Sequence, residues 1–273
     1  MAGFFGLFDY SKEGPGISKN APKKKAFFVF FETFFRNFWK FMLVNVVYVL
    51  LCLPIFTHGM ATAGITNVTR NIARDKHSFG ISDFFETIRK NLKQSLAVGI
   101  INTVISAILG LAIYMYYSSY INPETQSIFN LVGFAISLSM TLIFAMMNFY
   151  IYTLMITFDF KLKTLYINSF KFVCIKLWKN LLCGIIILAV YALYILIGLA
   201  FFDLRVWIIE LIIFVLTVPA FKFLLIQFFT FGSIKKHIID PYYEEHPDAD
   251  IEKRRDLGLD VPDDGKYDDM SWE

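Results

Sequence analysis

The residues most able to do chemistry in this chain are ionisable groups inside apolar stretches. Lys222 stands three residues after Pro219 within the apolar run Trp207–Phe231, and Glu210 lies near the start of that run. Charge at such depth is costly and marks a functional candidate. Pro219 would kink the helix, and Lys222 would contact an anion or a carboxylate. The competing reading lets the Lys222 stem carry its ammonium out to the headgroups. Glu210 is placed to pair with Arg205 at the rim.

Other chemistry is poorly supplied. The histidines His58, His77, His237 and His246 are isolated from one another, and Cys52, Cys174 and Cys183 lack CxxC spacing, so neither metal site nor disulfide framework is expected. There is no Walker A loop, GxSxG, HExxH or Rossmann fingerprint. An intramembrane protease would need a catalytic pair within the spans, yet Asp159 and Asp203 fall at span ends. No cofactor and no enzymatic activity are expected. Asn45, Asn102, Asn148 and Gln227 read as hydrogen-bonding groups between helices.

The elements that position these residues follow from composition. The chain has 273 residues, 56% apolar and only 18% charged, with 31 Phe and mean hydropathy +0.55. A soluble domain would carry nearer a quarter charged residues. Apolar runs of the length that crosses a bilayer occur at Phe38–Phe56, Leu96–Tyr117, Ile128–Ile156, Leu181–Phe202 and Trp207–Phe231. The fold class expected is all-α: a polytopic transmembrane helical bundle. A net charge of +3 without a basic, aromatic-interleaved stripe excludes nucleic acid. No cleavable signal is expected before Lys23-Lys24-Lys25.

Basic residues flank the Phe38–Phe56 run on both sides: Lys23, Lys24, Lys25, Arg36 and Lys40 before it, Arg70, Arg74, Lys76, Arg89, Lys90 and Lys93 after it. The positive-inside rule cannot be met on both sides of one crossing. A sixth, weaker segment between Ile55 and Arg70 resolves the conflict. Its small residues Gly59, Ala61, Ala63 and Gly64 allow close helix approach. Six membrane segments with both termini inside are therefore expected, with a re-entrant or interfacial segment as the rival.

Three regions follow: a basic tail and interfacial helix (residues 1–37), the transmembrane domain (38–232) and an acidic, disordered cytoplasmic tail (233–273). Ala26–Lys40 and Ile81–Leu96 read as amphipathic helices on the cytoplasmic surface. In the second, Arg89, Lys90 and Lys93 form a surface suited to a partner, and Asp83 with Glu86 resembles a capping box. Lys90-Asn-Leu is echoed by Lys179-Asn-Leu, which suggests an internal repeat.

The run Leu53-Pro-Ile-Phe-Thr-His-Gly-Met-Ala-Thr-Ala-Gly, with Val68-Thr-Arg and Asp83-Phe-Phe downstream, resembles the YesL family of bacterial membrane proteins, also called DUF624. Met60 stands where that family usually has Pro. The resemblance covers roughly residues 38–230 and implies a Gram-positive plasma membrane and a link to carbohydrate uptake and utilisation, but no reaction. Two functions are then expected. One is a non-enzymatic accessory or regulatory protein that binds a membrane transporter or sensor subunit. The other is a small transporter or channel for a sugar or anionic solute.

Overall fold

The computed structural model describes residues 26–201 and 203–246, and every described segment of regular structure is helical. The helices are α1 (Ala26–Arg36), α2 (Phe38–Cys52), α3 (His58–Ala73), α4 (Ile81–Lys90), α5 (Leu92–Ile121), α6 (Ile128–Thr157), α7 (Leu162–Ile175), α8 (Leu177–Phe201), α9 (Leu204–Ile234) and α10 (Asp240–Glu245). The all-α polytopic bundle is what the apolar runs require. Four helices among the described residues are long and apolar enough to cross a membrane: α5, α6, α8 and α9 with its continuation. The expected first span qualifies only if α2 is counted together with α1, across a bend of 74°.

A threefold internal pattern organises these helices. Each unit has a short helix, a one-residue break, an outgoing helix and a return helix: α1–α2–α3, α4–α5–α6 and α7–α8–α9. The breaks fall at Asn37 (φ −107°, ψ 16°), Asn91 (φ −111°, ψ 18°) and Lys176 (φ −123°, ψ 36°). Asn37 donates its side-chain amide to the Thr33 carbonyl, and Asn91 does the same to Thr87. The amide thus adds a donor where the helix ends and leaves carbonyls unpaired. Lys176 has no such amide. In that unit Asn180, one turn later, donates to the corresponding Phe172 carbonyl.

Sequence carries the same register. Phe30-Phe31-Glu32-Thr33 precedes Asn37 as Phe84-Phe85-Glu86-Thr87 precedes Asn91. Beyond each break the buried positions recur: Phe41 and Val44, Ser95 and Val98, Asn180 and Cys183. The Lys179-Asn-Leu echo is out of this register, because it lies inside α8 while Lys90-Asn-Leu straddles a break.

The units close on one another. Each short helix packs on the return helix of the preceding unit: α4 on α3, α7 on α6, and α1 on α9. The return helices α3, α6 and α9 meet in the middle. Core packing is concentrated toward the end where the three breaks and the basic loops lie, here called the basic end. There Phe41, Ile65, Tyr150, Leu154, Leu165 and Leu224 are fully buried. Toward the far end, Leu111, Tyr114, Phe129, Leu196 and Ile212 are exposed, as suits helices surrounded by lipid.

The small-residue segment forms α3, at the centre. Ala61, Ala63 and Gly64 are buried, and the Phe84 ring of α4 lies against Gly64. At 16 residues α3 is about 24 Å long, short of the roughly 30 Å hydrocarbon core. Its first turn meets α5 at Gly99, about 11 Å from the start of that helix. The α2–α3 hairpin therefore turns round within the basic half of the bundle. This geometry favours the re-entrant alternative, and it still leaves both basic flanks on one side. A cysteine at Phe56, in a background lacking Cys52, Cys174 and Cys183, is expected to escape impermeant maleimide applied from outside. Strong outside labelling would show that the hairpin crosses.

Three local expectations need correction. The second amphipathic helix ends at Lys90, and Leu92–Leu96 already belong to α5. Asp83 ties the loop before α4 to its first turn by accepting from the Phe79 amide and the Ser78 hydroxyl, while Glu86 pairs with Lys90 instead of completing a capping box. The region from residue 233 is helical as far as Glu245, because Ile234 and Ile239 are buried. Residues 1–25 and the rest of the acidic tail lie outside the described residues.

Candidate functional site

Pro219 does bend the hydrogen-bond pattern of α9, and α2 repairs it. In a regular helix the Ala220 amide would bond to the Leu216 carbonyl. Here the Asn45 side chain enters between them: its amide nitrogen donates to Leu216 O at 2.7 Å, and its oxygen accepts from Ala220 N at 2.8 Å. A side chain inserted into the ladder is one of the recognised causes of a helix kink. Asn45 is fully buried.

Lys222 follows one turn into α9, beside the tip of the α2–α3 hairpin. It neighbours Cys52 and His58. Its Nζ lies 5.2 Å from the centroid of the Phe223 ring, within cation–π range. No carboxylate pairs with it among the described residues. Tyr48, Thr62 and Tyr152 lie around the same hairpin tip. Cys52 and His58 share no hydrogen bond with each other, so the tip does not assemble a nucleophile and its base.

Glu210 is not part of this cluster. Twelve residues separate it from Lys222 on α9, about 18 Å along the axis. Nor does it pair with Arg205. Its carboxylate is lodged against Gly198 of α8 and the Trp207 ring, and both oxygens are buried without a partner among the described residues. A Cβ at Gly198 would stand 2.7 Å from Glu210 Oε2, so the missing side chain makes the notch.

Asn102, Asn148 and Gln227 link helices, as their residue types suggested. Asn102 donates to Asn148 on α6 at 2.8 Å and accepts from Tyr166 on α7 at 2.7 Å. Gln227 donates to Thr153 across α9 and α6. Tyr150 donates to Asn180, joining α6 to α8. Tyr150 and Tyr166 escaped sequence reasoning because a tyrosine in an apolar run reads as interface or core. The third short helix, α7, was missed because its lysines hid its buried stripe of Leu165, Ser169, Phe172 and Val173.

At the basic end, Arg70 donates to the Ile156 carbonyl, the Thr157 hydroxyl and Asn67 Oδ1. A cation there also complements the negative end of α6. Arg74, one turn later, lies over the Phe231 ring at 4.2 Å. On the opposite side of α4 from Phe84, the side chains of Arg89 and Lys90 are exposed, as is Lys93 in the first turn of α5. The apolar Phe85 and Leu92 are exposed beside them. No group of three or more His, Cys, Asp or Glu could hold a metal ion among the described residues.

Comparison with known proteins agrees with one part of the sequence reading. Residues 41–113 match the family model described as "Protein of unknown function, DUF624", so the DUF624 resemblance holds over α2 to most of α5. That segment contains the hairpin, Arg70, Arg74 and α4, and the family description carries no reaction. No curated protein and no solved structure matches the chain.

Proposed function

We propose that this multi-pass membrane protein is a non-enzymatic accessory or regulatory subunit that docks a membrane transporter or sensor through the basic surface formed by α4 and the first turn of α5. The observation that carries the reading is the mounting of that helix. Phe84 is fully buried against α3, and Thr87 accepts from Asn67. One face is therefore locked, and Arg89, Lys90 and Lys93 are presented outward on a rigid support. Rigid presentation lowers the ordering cost of binding, and a basic rim steers an acidic partner. The link to carbohydrate uptake rests on the family resemblance alone.

A second reading, passage of a sugar or anionic solute, draws on Lys222. A cation half-buried at the hairpin tip, with no acidic partner among the described residues, would suit an anion in transit.

One experiment separates the two. The protein and its Arg89→Glu/Lys90→Glu/Lys93→Glu variant are captured from native membranes in mild detergent. A stoichiometric membrane partner, lost in the variant while insertion is unchanged, is the expected result. A partner retained by the variant would remove α4 from the interface. Partner-free protein whose proteoliposome uptake is abolished by Lys222→Ala would instead favour transport.

A further inference from the structure

Two guanidinium groups at the basic end of the core have no counter-charge among the described residues. Arg70, in the last turn of α3, and Arg74, the residue that caps its C-terminus, stand four residues apart, close enough to repel each other. Asp75, the next residue, turns its carboxylate to Arg36, and the other ion pair among the described residues joins Glu86 to Lys90. No carboxylate among the described residues reaches either member of the pair.

Their hydrogen bonds are also incomplete. Arg70 uses Nη1 and Nη2 on α6 and Asn67, but its Nε is buried without an acceptor. Arg74 has both Nε and Nη2 buried and unpartnered. Buried polar groups are nearly always paired, and a charged donor left open costs more than a neutral one. The Phe231 ring offsets part of the Arg74 charge and accepts none of its in-plane N–H bonds.

We propose that Arg70 and Arg74 form a binding site for a phosphate-type oxyanion where the basic ends of α3, α6 and α9 meet. The planar guanidinium fork matches phosphate oxygens in geometry and charge. Arg70, held by the end of α6, is the fixed member. Arg74, half-buried and with no side-chain hydrogen bond among the described residues, is the one that reaches the ligand. Asn67 joins Arg70 to Thr87 of α4, so occupancy would also brace the helix proposed to dock a partner. The site itself does not depend on that docking. The oxyanion belongs either to the headgroup of an anionic phospholipid or to a soluble phosphorylated compound, and the chemistry at the arginines is the same.

The test uses the full chain purified in neutral detergent. Thermal unfolding is followed with inorganic phosphate, with chloride at matched ionic strength, and after addition of phosphatidylglycerol or phosphatidylcholine. Wild type, Arg74→Gln and Arg74→Lys are compared, each against its own ligand-free midpoint, so a change in basal stability does not enter. Binding to the folded state raises the midpoint by mass action, here by roughly 5 °C. That rise is expected in wild type, lost in Arg74→Gln and partly kept in Arg74→Lys. A response to inorganic phosphate assigns a soluble ligand. A response to phosphatidylglycerol alone assigns the headgroup. No rise above the chloride and phosphatidylcholine controls, or an equal rise in Arg74→Gln, overturns the proposal.

Discussion

Asn45→Leu is expected to destabilise the protein by about 2–6 kcal/mol, with the damage located in α9 and not in α2. Leucine is close to asparagine in size, so packing changes little. What is lost is the amide that occupies the gap between Leu216 O and Ala220 N. Both backbone groups are then left unpaired in an apolar core, at about 1–3 kcal/mol each. Pro219→Ala supplies the control. Without the ring the helix can straighten, and Leu216 and Ala220 can bond directly. Asn45→Leu combined with Pro219→Ala should therefore cost at least about 1 kcal/mol less than the two single changes added together. Detergent-solubilised unfolding midpoints measure this cycle. Strict additivity, or an Asn45→Leu variant as stable as wild type, would mean that the splice contributes nothing.

Gly59→Leu should be more damaging still. A Cβ on Gly59 would lie 2.5 Å from the Gly99 Cα and closer yet to the Ser95 carbonyl oxygen. Both obstacles are backbone, so no side-chain rotation relieves the clash, and α3 must move away from α5. Overpacking that side chains can absorb costs about 1–3 kcal/mol. Here the separation also opens the core around Val98 and Ala63, and the expected result is loss of most folded, monodisperse protein. Gly99→Leu should behave alike. Gly110→Leu, on the same α5 with no atom within 4 Å of its Cβ, should be neutral. Size-exclusion profiles of fluorescent fusions report all three. A Gly59→Leu protein that elutes like wild type would show that the helices do not cross there.

Much of the architecture was legible because a bilayer demands long apolar helices, and α5, α6, α8 and α9 declare themselves by length and composition. The small residues of α3 also announced a close crossing. Asn45 was recognisable as a helix-linking group, but not as the partner of a proline 174 residues away. Nothing in either local sequence couples them, and only packing α2 on α9 brings the amide to the opened turn. Glu210 misled for the same reason: Arg205 is near in sequence, yet the helix aims the carboxylate at Gly198.

Sequence by itself determined the class of protein, the four long spans, the basic end and the absence of familiar catalytic motifs, because each of these is a local property of composition or spacing. Tertiary structure decided the rest. It set the closure of three elbow-and-hairpin units around α3, α6 and α9, and how far the α2–α3 hairpin reaches. It also left Arg70 and Arg74 without an acid beside them among the described residues. Whether a buried charge has a partner depends on what the chain brings back from distant positions, and short-range pattern holds no record of that.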